Sequence, residues 1–129
     1  MSRRTDSPPA LHELESEVME QLWRRPLSSV REVMEALNGH AAVPRAYTTY
    51  MTTMRRLDGK GMLERTREGN ADLYRPVYTS SEYADLRARA GVDSLVEQFG
   101  ELALGHFARQ MAQLDPERRR SLQRLARKR

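Results

Sequence analysis

Residues 46–57 combine threonines with two arginines and contain no acidic residue. A helix over this stretch, at 100° per residue, places Tyr50, Thr53, Met54 and Leu57 on one side. The other side carries neutral side chains and arginines only: Thr48, Thr49, Met51, Thr52, Arg55 and Arg56. Arginine binds phosphate oxygens, and threonine contacts base edges and the methyl group of thymine. A solvated helix face remains the alternative, but it would normally carry Glu and Lys, so the composition favours a DNA-contacting surface.

Four further residues extend this candidate surface. Arg45 and Tyr47 stand where the helix is expected to begin. Arg65 and Arg67 alternate along a predicted strand and therefore project from the same face. The predicted DNA contacts are Arg45, Tyr47, Thr48, Thr49, Met51, Thr52, Arg55, Arg56, Arg65 and Arg67.

Two short helices are predicted ahead of this one. The apolar residues of the first recur at the spacing of a single buried stripe: Leu11, Leu14, Val18, Leu22 and Trp23. Pro26 ends that helix, and residues 29–32 form a capping box that begins a second helix closed by Gly39. Residues 1–10, which are polar and include two prolines, are predicted to form a disordered arm.

A β-hairpin is predicted after the third helix. Residues 59–61 break the helix, and residues 62–68 and 73–78 form two strands around a turn at 68–71. Pro76 is expected to restrict the second strand to an edge of the sheet. Three helices followed by a hairpin is the order of a winged helix, in which the third helix enters the major groove and the wing reaches the DNA backbone.

Residues 80–129 are predicted to form three amphipathic helices, interrupted at Gly100 and capped again at Asp115-Pro116. They have no sheet to cover, so their apolar faces are expected to meet those of a second copy in a two-fold homodimer. The predicted dimerisation residues are Tyr83, Leu86, Leu95, Val96, Phe99, Leu102, Ala103, Phe107, Met111, Leu122 and Leu125. The predicted fold is mainly α with a small β-hairpin: a winged helix-turn-helix domain at 11–79 and a helical dimerisation domain at 80–129.

Composition argues against several classes of protein. The formal net charge of +4 suits a polyanionic partner, with acidic residues concentrated in 11–23 and a basic tail from 118. The absence of cysteine excludes disulfides and cysteine-based metal sites and suits the cytoplasm, the predicted location. No apolar run approaches the roughly 20 residues of a membrane span. His12, His40 and His106 are scattered, so no enzymatic activity, metal or cofactor is predicted.

The stretch from Ala46 to Gly61, with its paired threonines, resembles the third helix of the BlaI/MecI/CopY transcriptional repressors. Residues 14–23 and 30–33 resemble that family's first two helices, residues 74–77 its wing, and Phe99-Gly100 with Phe107 its dimerisation region. The resemblance implies a homodimeric repressor that binds a pseudo-palindromic operator in double-stranded DNA. It also implies base contacts from Thr48, Thr49 and Thr52 and a phosphate contact from Arg55 or Arg56. A winged-helix adaptor that binds protein rather than DNA is the alternative reading.

The same resemblance suggests a route of induction. In the beta-lactam branch of the family, a repressor is cut at an Asn–Phe bond within its dimerisation helices. His106–Phe107 is the best positional match in this chain, and Gln98–Phe99 is a second candidate. A membrane sensor-protease is therefore one possible partner. A small ligand and a partner protein are the alternative inducers. The copper-sensing branch uses a cysteine motif that this chain lacks.

Overall fold

The computed structural model describes residues 4–128, and the elements follow the predicted order with one short strand added. In chain order they are α1 (Glu13–Arg24), β1 (Ser28–Ser29), α2 (Val30–Asn38), α3 (Tyr47–Gly59), β2 (Leu63–Glu68), β3 (Ala71–Pro76), α4 (Ser80–Phe99), α5 (Glu101–Ala112) and α6 (Pro116–Arg127). The predicted class, mainly α with a small β-hairpin, is confirmed.

The sheet is antiparallel with strand order β1-β3-β2, so β3 is its central strand. The expectation that Pro76 makes this strand an edge is therefore wrong. Pro76 lies at the end of β3 and pairs with Leu63, whereas the two-residue β1 pairs only with Leu73 and Tyr74. The missing N–H of Pro76 thus interrupts no pairing with β1. Gly69, at φ 62°, supplies the left-handed backbone of the hairpin turn.

The core of the winged helix is built from the apolar faces of α1, α2 and α3 together with residues at the hairpin. Its largest fully buried side chains include Leu22, Tyr50, Met54, Leu57 and Tyr74. The predicted capping box of α2 is confirmed: the Glu32 N–H donates to Ser29 Oγ at 3.1 Å and the Ser29 N–H donates to Glu32 Oε1 at 2.8 Å. This cap fixes where α2 begins.

The described part of the N-terminal segment differs from the predicted disordered arm. The Thr5 N–H donates to the Tyr78 hydroxyl at 2.8 Å, and the Tyr83 hydroxyl donates to the Pro9 carbonyl at 2.7 Å. The Arg87 guanidinium donates to the Pro8 carbonyl, and Pro8 is fully buried. Residues 4–10 are thus held by side chains that are distant in sequence; residues 1–3 of the predicted arm lie outside the described residues.

The chain divides into two compact units, the first ending at Ala88 and the second beginning at Arg89. The predicted boundary between 79 and 80 therefore precedes the observed one, because the first turns of α4 belong to the first unit. Tyr83 and Leu86 pack against the winged-helix core, and the Tyr83 ring lies 5.7 Å from that of Trp23. Both side chains thus pack within the first unit, and their assignment to dimer contacts stays a prediction.

The second unit comprises the rest of α4 with α5 and α6. Gly100, at φ 58°, separates α4 from α5, as predicted. Asp115 caps α6 by accepting the Arg118 N–H at 2.8 Å, and Pro116 occupies the first turn. Ala103 is the one apolar residue buried among the described residues of this unit. Among residues 4–128, no helix is long and apolar enough to cross a membrane.

Candidate nucleic-acid interface

The helix α3 has the two faces that its sequence predicts. Tyr50, Thr53, Met54 and Leu57 are buried, and the Thr53 hydroxyl donates to the Thr49 carbonyl at 2.8 Å. The opposite face is exposed except for Met51, which is half-buried. Its members are Thr48, Thr49, Met51, Thr52, Arg55 and Arg56, and this set is called the reading face below. The face carries no carboxylate, so it presents hydroxyls, methyl groups and guanidinium groups.

One groove lies between the reading face and the start of α1. It has a volume of about 430 Å³, and its lining includes His12, Thr48, Thr52 and Arg56. Hydroxyl groups therefore line its α3 side, and an imidazole and a guanidinium contribute to its walls. We call this space the α1 groove.

A second groove borders the other side of α3, between the start of α2 and the hairpin turn. Its volume is about 410 Å³, and its lining includes Arg31, Tyr47, Met51, Arg55 and Asn70. The Arg31 guanidinium lies over the Tyr47 ring, 5.9 Å from its centre, which is a cation–π arrangement. We call this space the wing groove.

Arg31 is a basic residue of this surface that sequence reasoning missed. It lies in the first turn of α2 and is exposed. A basic residue within the capping box, between Ser29 and Glu32, was the available signal. Its position beside Tyr47 becomes visible only when α2 and α3 are packed together.

The wing arginines, Arg65 and Arg67, are held by an acidic partner on the adjacent strand. Arg67 Nη1 lies 3.4 Å and Arg65 Nη1 lies 3.9 Å from carboxylate oxygens of Asp72. The Arg65 side chain remains 45% exposed and that of Arg67 66%. The structure confirms that they share one face of the hairpin and adds a carboxylate that neutralises part of their charge.

Arg45 lies in the turn that precedes α3. Its guanidinium is 3.7 Å from Glu17 of α1, and its backbone is held by the Asn38 side chain. Tyr47 is exposed and begins α3. The structure therefore brings both residues to the N-terminal end of the reading face.

A buried ion pair stabilises the base of the α1 groove. Glu15 is 1% exposed, and its carboxylate lies 2.8 Å from the Lys60 ammonium and accepts the His12 N–H at 2.9 Å. Burial raises the pKa of Glu15, but the His12 hydrogen bond and Lys60 together outweigh this effect and hold the pKa below its ordinary value. The pair links the start of α1 to the end of α3.

In the second unit, four of the nine predicted dimerisation residues are exposed and four are half-buried. Leu95, Phe99, Leu102 and Leu125 are exposed, and Val96, Phe107, Met111 and Leu122 are half-buried. A shallow apolar groove of about 350 Å³ is lined by Leu95, Phe99, Leu102, Ala103, His106 and Phe107. In the part of the chain that the structure describes, no cluster of three or more His, Asp or Glu could hold a metal ion.

A winged helix whose third helix exposes hydroxyl and guanidinium groups defines the class of the protein as DNA-binding. Its sequence matches the family model described as penicillinase repressor over residues 11–128, and the chain belongs to that family.

Known relatives agree with this assignment. The chain is 39% identical over 102 residues to the transcriptional regulator BlaI of Mycobacterium tuberculosis, covering 75% of this chain and 70% of that protein. Among solved structures, the DNA-binding domain of the repressor BlaI matches with a TM-score of 0.52 and 28% identity, over 61% of this chain and 94% of that one. Monomeric BlaI of Bacillus licheniformis in complex with the blaP half-operator matches with a TM-score of 0.50 and 28% identity, over 60% of this chain and 92% of that one.

Proposed function

We propose that this protein represses transcription as a homodimer that binds a two-fold symmetric operator through the reading face of α3. The observation that carries the proposal is the arrangement of basic side chains around α3. A groove runs along each side of the helix, and each groove has an arginine of α3 in its lining.

The two grooves match the surroundings of a helix in the major groove of DNA. Such a helix lies between the two phosphate backbones of the duplex. Arg56 with His12 would face one backbone, and Arg55 with Arg31 would face the other. The threonines between them would contact base edges. Arg55 and Arg56 thus have separate roles in the proposal, one on each strand.

Dimerisation is supported by what the second unit leaves uncovered. Leu95 is 43% exposed, Phe99 50% and Leu102 72%. Helices with a continuous apolar groove and a single buried alanine do not make a core of their own, so a second copy of the same face is the occupant we propose.

A chain that ends after Phe99 should be monomeric and bind the operator far more weakly than the full chain. Unchanged affinity of that truncated chain would contradict dimer-dependent binding.

The spacing of half-sites tests the symmetric arrangement. Two copies of α3 related by a dyad should read half-sites about 10 bp apart, or a multiple of this distance. A duplex enriched by the protein from a pool of random DNA supplies the probe for mobility-shift titrations. Changing the half-site separation by about 5 bp, half a helical turn, should greatly weaken binding. Equal affinity at both separations would contradict the proposal.

Substitutions separate phosphate contacts from base contacts. Replacing Arg55 or Arg56 by alanine should weaken binding to every duplex and reduce the salt slope by about one phosphate contact. Thr49→Val should lose about 1–3 kcal/mol on the enriched duplex and little on random DNA. Arg24→Ala is the matched control, because Arg24 lies at the opposite end of α1 from the α1 groove. It should change neither the affinity for DNA nor the salt slope.

The protein-binding adaptor is distinguished by the same titrations. An adaptor would bind all duplexes weakly and would show no sequence enrichment. The reading face favours the repressor, because an adaptor surface would expose aliphatic side chains rather than threonines and arginines.

Cleavage at His106–Phe107 stays a prediction. The bond lies within α5, where His106 is exposed and Phe107 is half-buried beside the apolar groove. A cut there would separate α6 from the rest of the second unit and remove the link between two DNA-binding units. Loss of that link can lower operator affinity by roughly 10²–10⁴-fold. Full-length protein persisting in cells during complete derepression would contradict this route.

A further inference from the structure

A polar side chain at the end of α2 holds the turn between α2 and α3. Asn38, the last residue of α2, accepts the Arg45 N–H at 3.0 Å and donates to the Arg45 carbonyl at 2.9 Å. The side-chain amide of Asn38 thus pairs with both the N–H and the carbonyl of Arg45, as a neighbouring strand would in a β-sheet. The two bonds therefore fix the position of the chain directly before α3 begins.

The same amide is connected to the buried side of α3. The Tyr50 hydroxyl donates to Asn38 Oδ1 at 2.7 Å, and Tyr50 is fully buried. A tyrosine side chain has two rotatable bonds. A hydrogen bond from its hydroxyl group, together with burial of the ring, restricts it to one orientation. The rotation and height of α3 on the core are thus tied to the end of α2 through a single oxygen atom.

The network has a direct consequence for the interface. Arg45 and Tyr47 flank the start of α3, and the reading face begins one residue later. Leu57 and Met54 hold the helix against the core by apolar packing, which has no directional preference of its own. A hydrogen bond is directional and weakens steeply with misalignment. The polar network therefore adds a directional constraint on the position of α3 that apolar packing alone does not supply.

We propose that Asn38 and Tyr50 are positioning residues for operator recognition, although neither one touches DNA. The pair aligns the reading face so that its threonines meet base edges. This inference rests on the proposed function. Loss of the pair should lower discrimination between sequences more than it lowers affinity for DNA in general, since phosphate contacts tolerate misalignment better than base contacts do.

The test compares two tyrosine variants that each lose one buried hydroxyl group. Tyr50→Phe removes the bond to Asn38 and keeps the ring. Tyr78→Phe is the matched control, since Tyr78 is 3% exposed and its hydroxyl accepts the Thr5 N–H at 2.8 Å, in a bond that does not involve α3. Affinity is measured for a duplex that the wild-type protein enriches from random DNA and for poly(dI-dC), together with the urea midpoint of each variant.

Tyr50→Phe should reduce the ratio of the two affinities by about fivefold, the effect of one lost hydrogen bond. Tyr78→Phe should lower the urea midpoint comparably and leave the ratio unchanged. Asn38→Asp retains Oδ1 but loses the donor to Arg45, so it should lower the ratio as well, and it serves as the test should Tyr50→Phe not fold. If the affinity ratio of Tyr50→Phe stays within twofold of the wild-type ratio, whatever its urea midpoint, the positioning role is overturned. No sequence preference in the wild-type protein would instead overturn the proposed function.

Discussion

Substituting Lys60 by methionine tests the electrostatics that join α1 to the end of α3. The change keeps an apolar stem of similar length and removes the ammonium that lies 2.8 Å from Glu15. Glu15 would remain 1% exposed with the His12 N–H as its hydrogen-bond donor. Because a buried carboxylate without a counter-charge is strongly unfavourable, the first unit should become less stable at neutral pH.

The magnitude follows from the burial of the two partners. Removing one member of a fully buried ion pair costs about 3–5 kcal/mol. The Lys60 side chain is 28% exposed, so water can replace part of its interaction with the carboxylate. We therefore expect a loss of about 2–3 kcal/mol at pH 7. An exposed pair such as Arg89 with Asp93 would give far less.

The pH dependence gives the sharper test. In the wild-type protein the pKa of Glu15 lies below 4.5, so the pair contributes fully above about pH 4.5 and its contribution is lost as the pH falls through the folded pKa. In Lys60→Met, burial remains and the lysine is gone, so the pKa of Glu15 rises. The variant then takes up a proton at a higher pH, which relieves the buried charge. The stability difference between wild type and variant should therefore shrink as the pH falls from 7 towards about 4.

Urea unfolding followed by circular dichroism measures this difference at a series of pH values. Protein concentration is held constant, because an oligomer's stability depends on it. Arg89→Met removes a cation from an exposed pair and serves as the control. A difference that stays constant between pH 7 and 4, or a Lys60→Met variant no less stable than Arg89→Met, would refute the assignment of a buried, uncompensated charge.

Three further changes test the wing and the second unit. Asp72→Asn releases both wing arginines from their carboxylate partner and should tighten binding to any duplex, most clearly at low salt; unchanged affinity in mobility shifts would remove the wing from the interface. Gly100→Ala forces a side chain into φ 58° with no atom within 4 Å of the new Cβ, so backbone strain of about 1–3 kcal/mol should lower the melting temperature. Asp115→Ala removes the cap of α6 and should cost about 1 kcal/mol of stability, whereas Asp115→Asn should cost much less.

Local sequence determined the helices, their ends and the two faces of α3. The capping box at Ser29 and the cap at Asp115 depend on residues three positions apart, and the break at Gly100 depends on a single glycine at positive φ. The structure has each one where the sequence predicts it. The buried side of α3 follows from the helical period alone. These features could be predicted because each depends on neighbours within one or two helical turns.

Tertiary structure decided which distant residues meet. The pairing of β1 with β3 makes a strand of two residues that no pattern in the sequence indicates. Lys60 lies 45 positions from Glu15, and Arg31 reaches Tyr47 only because α2 packs on α3. Two tyrosines, Tyr78 and Tyr83, hold residues 4–10 through hydrogen bonds to a proline-containing segment that looks disordered by composition. Periodicity shows which face of an element is buried, but it does not show against what, because that is set by the packing of the whole core.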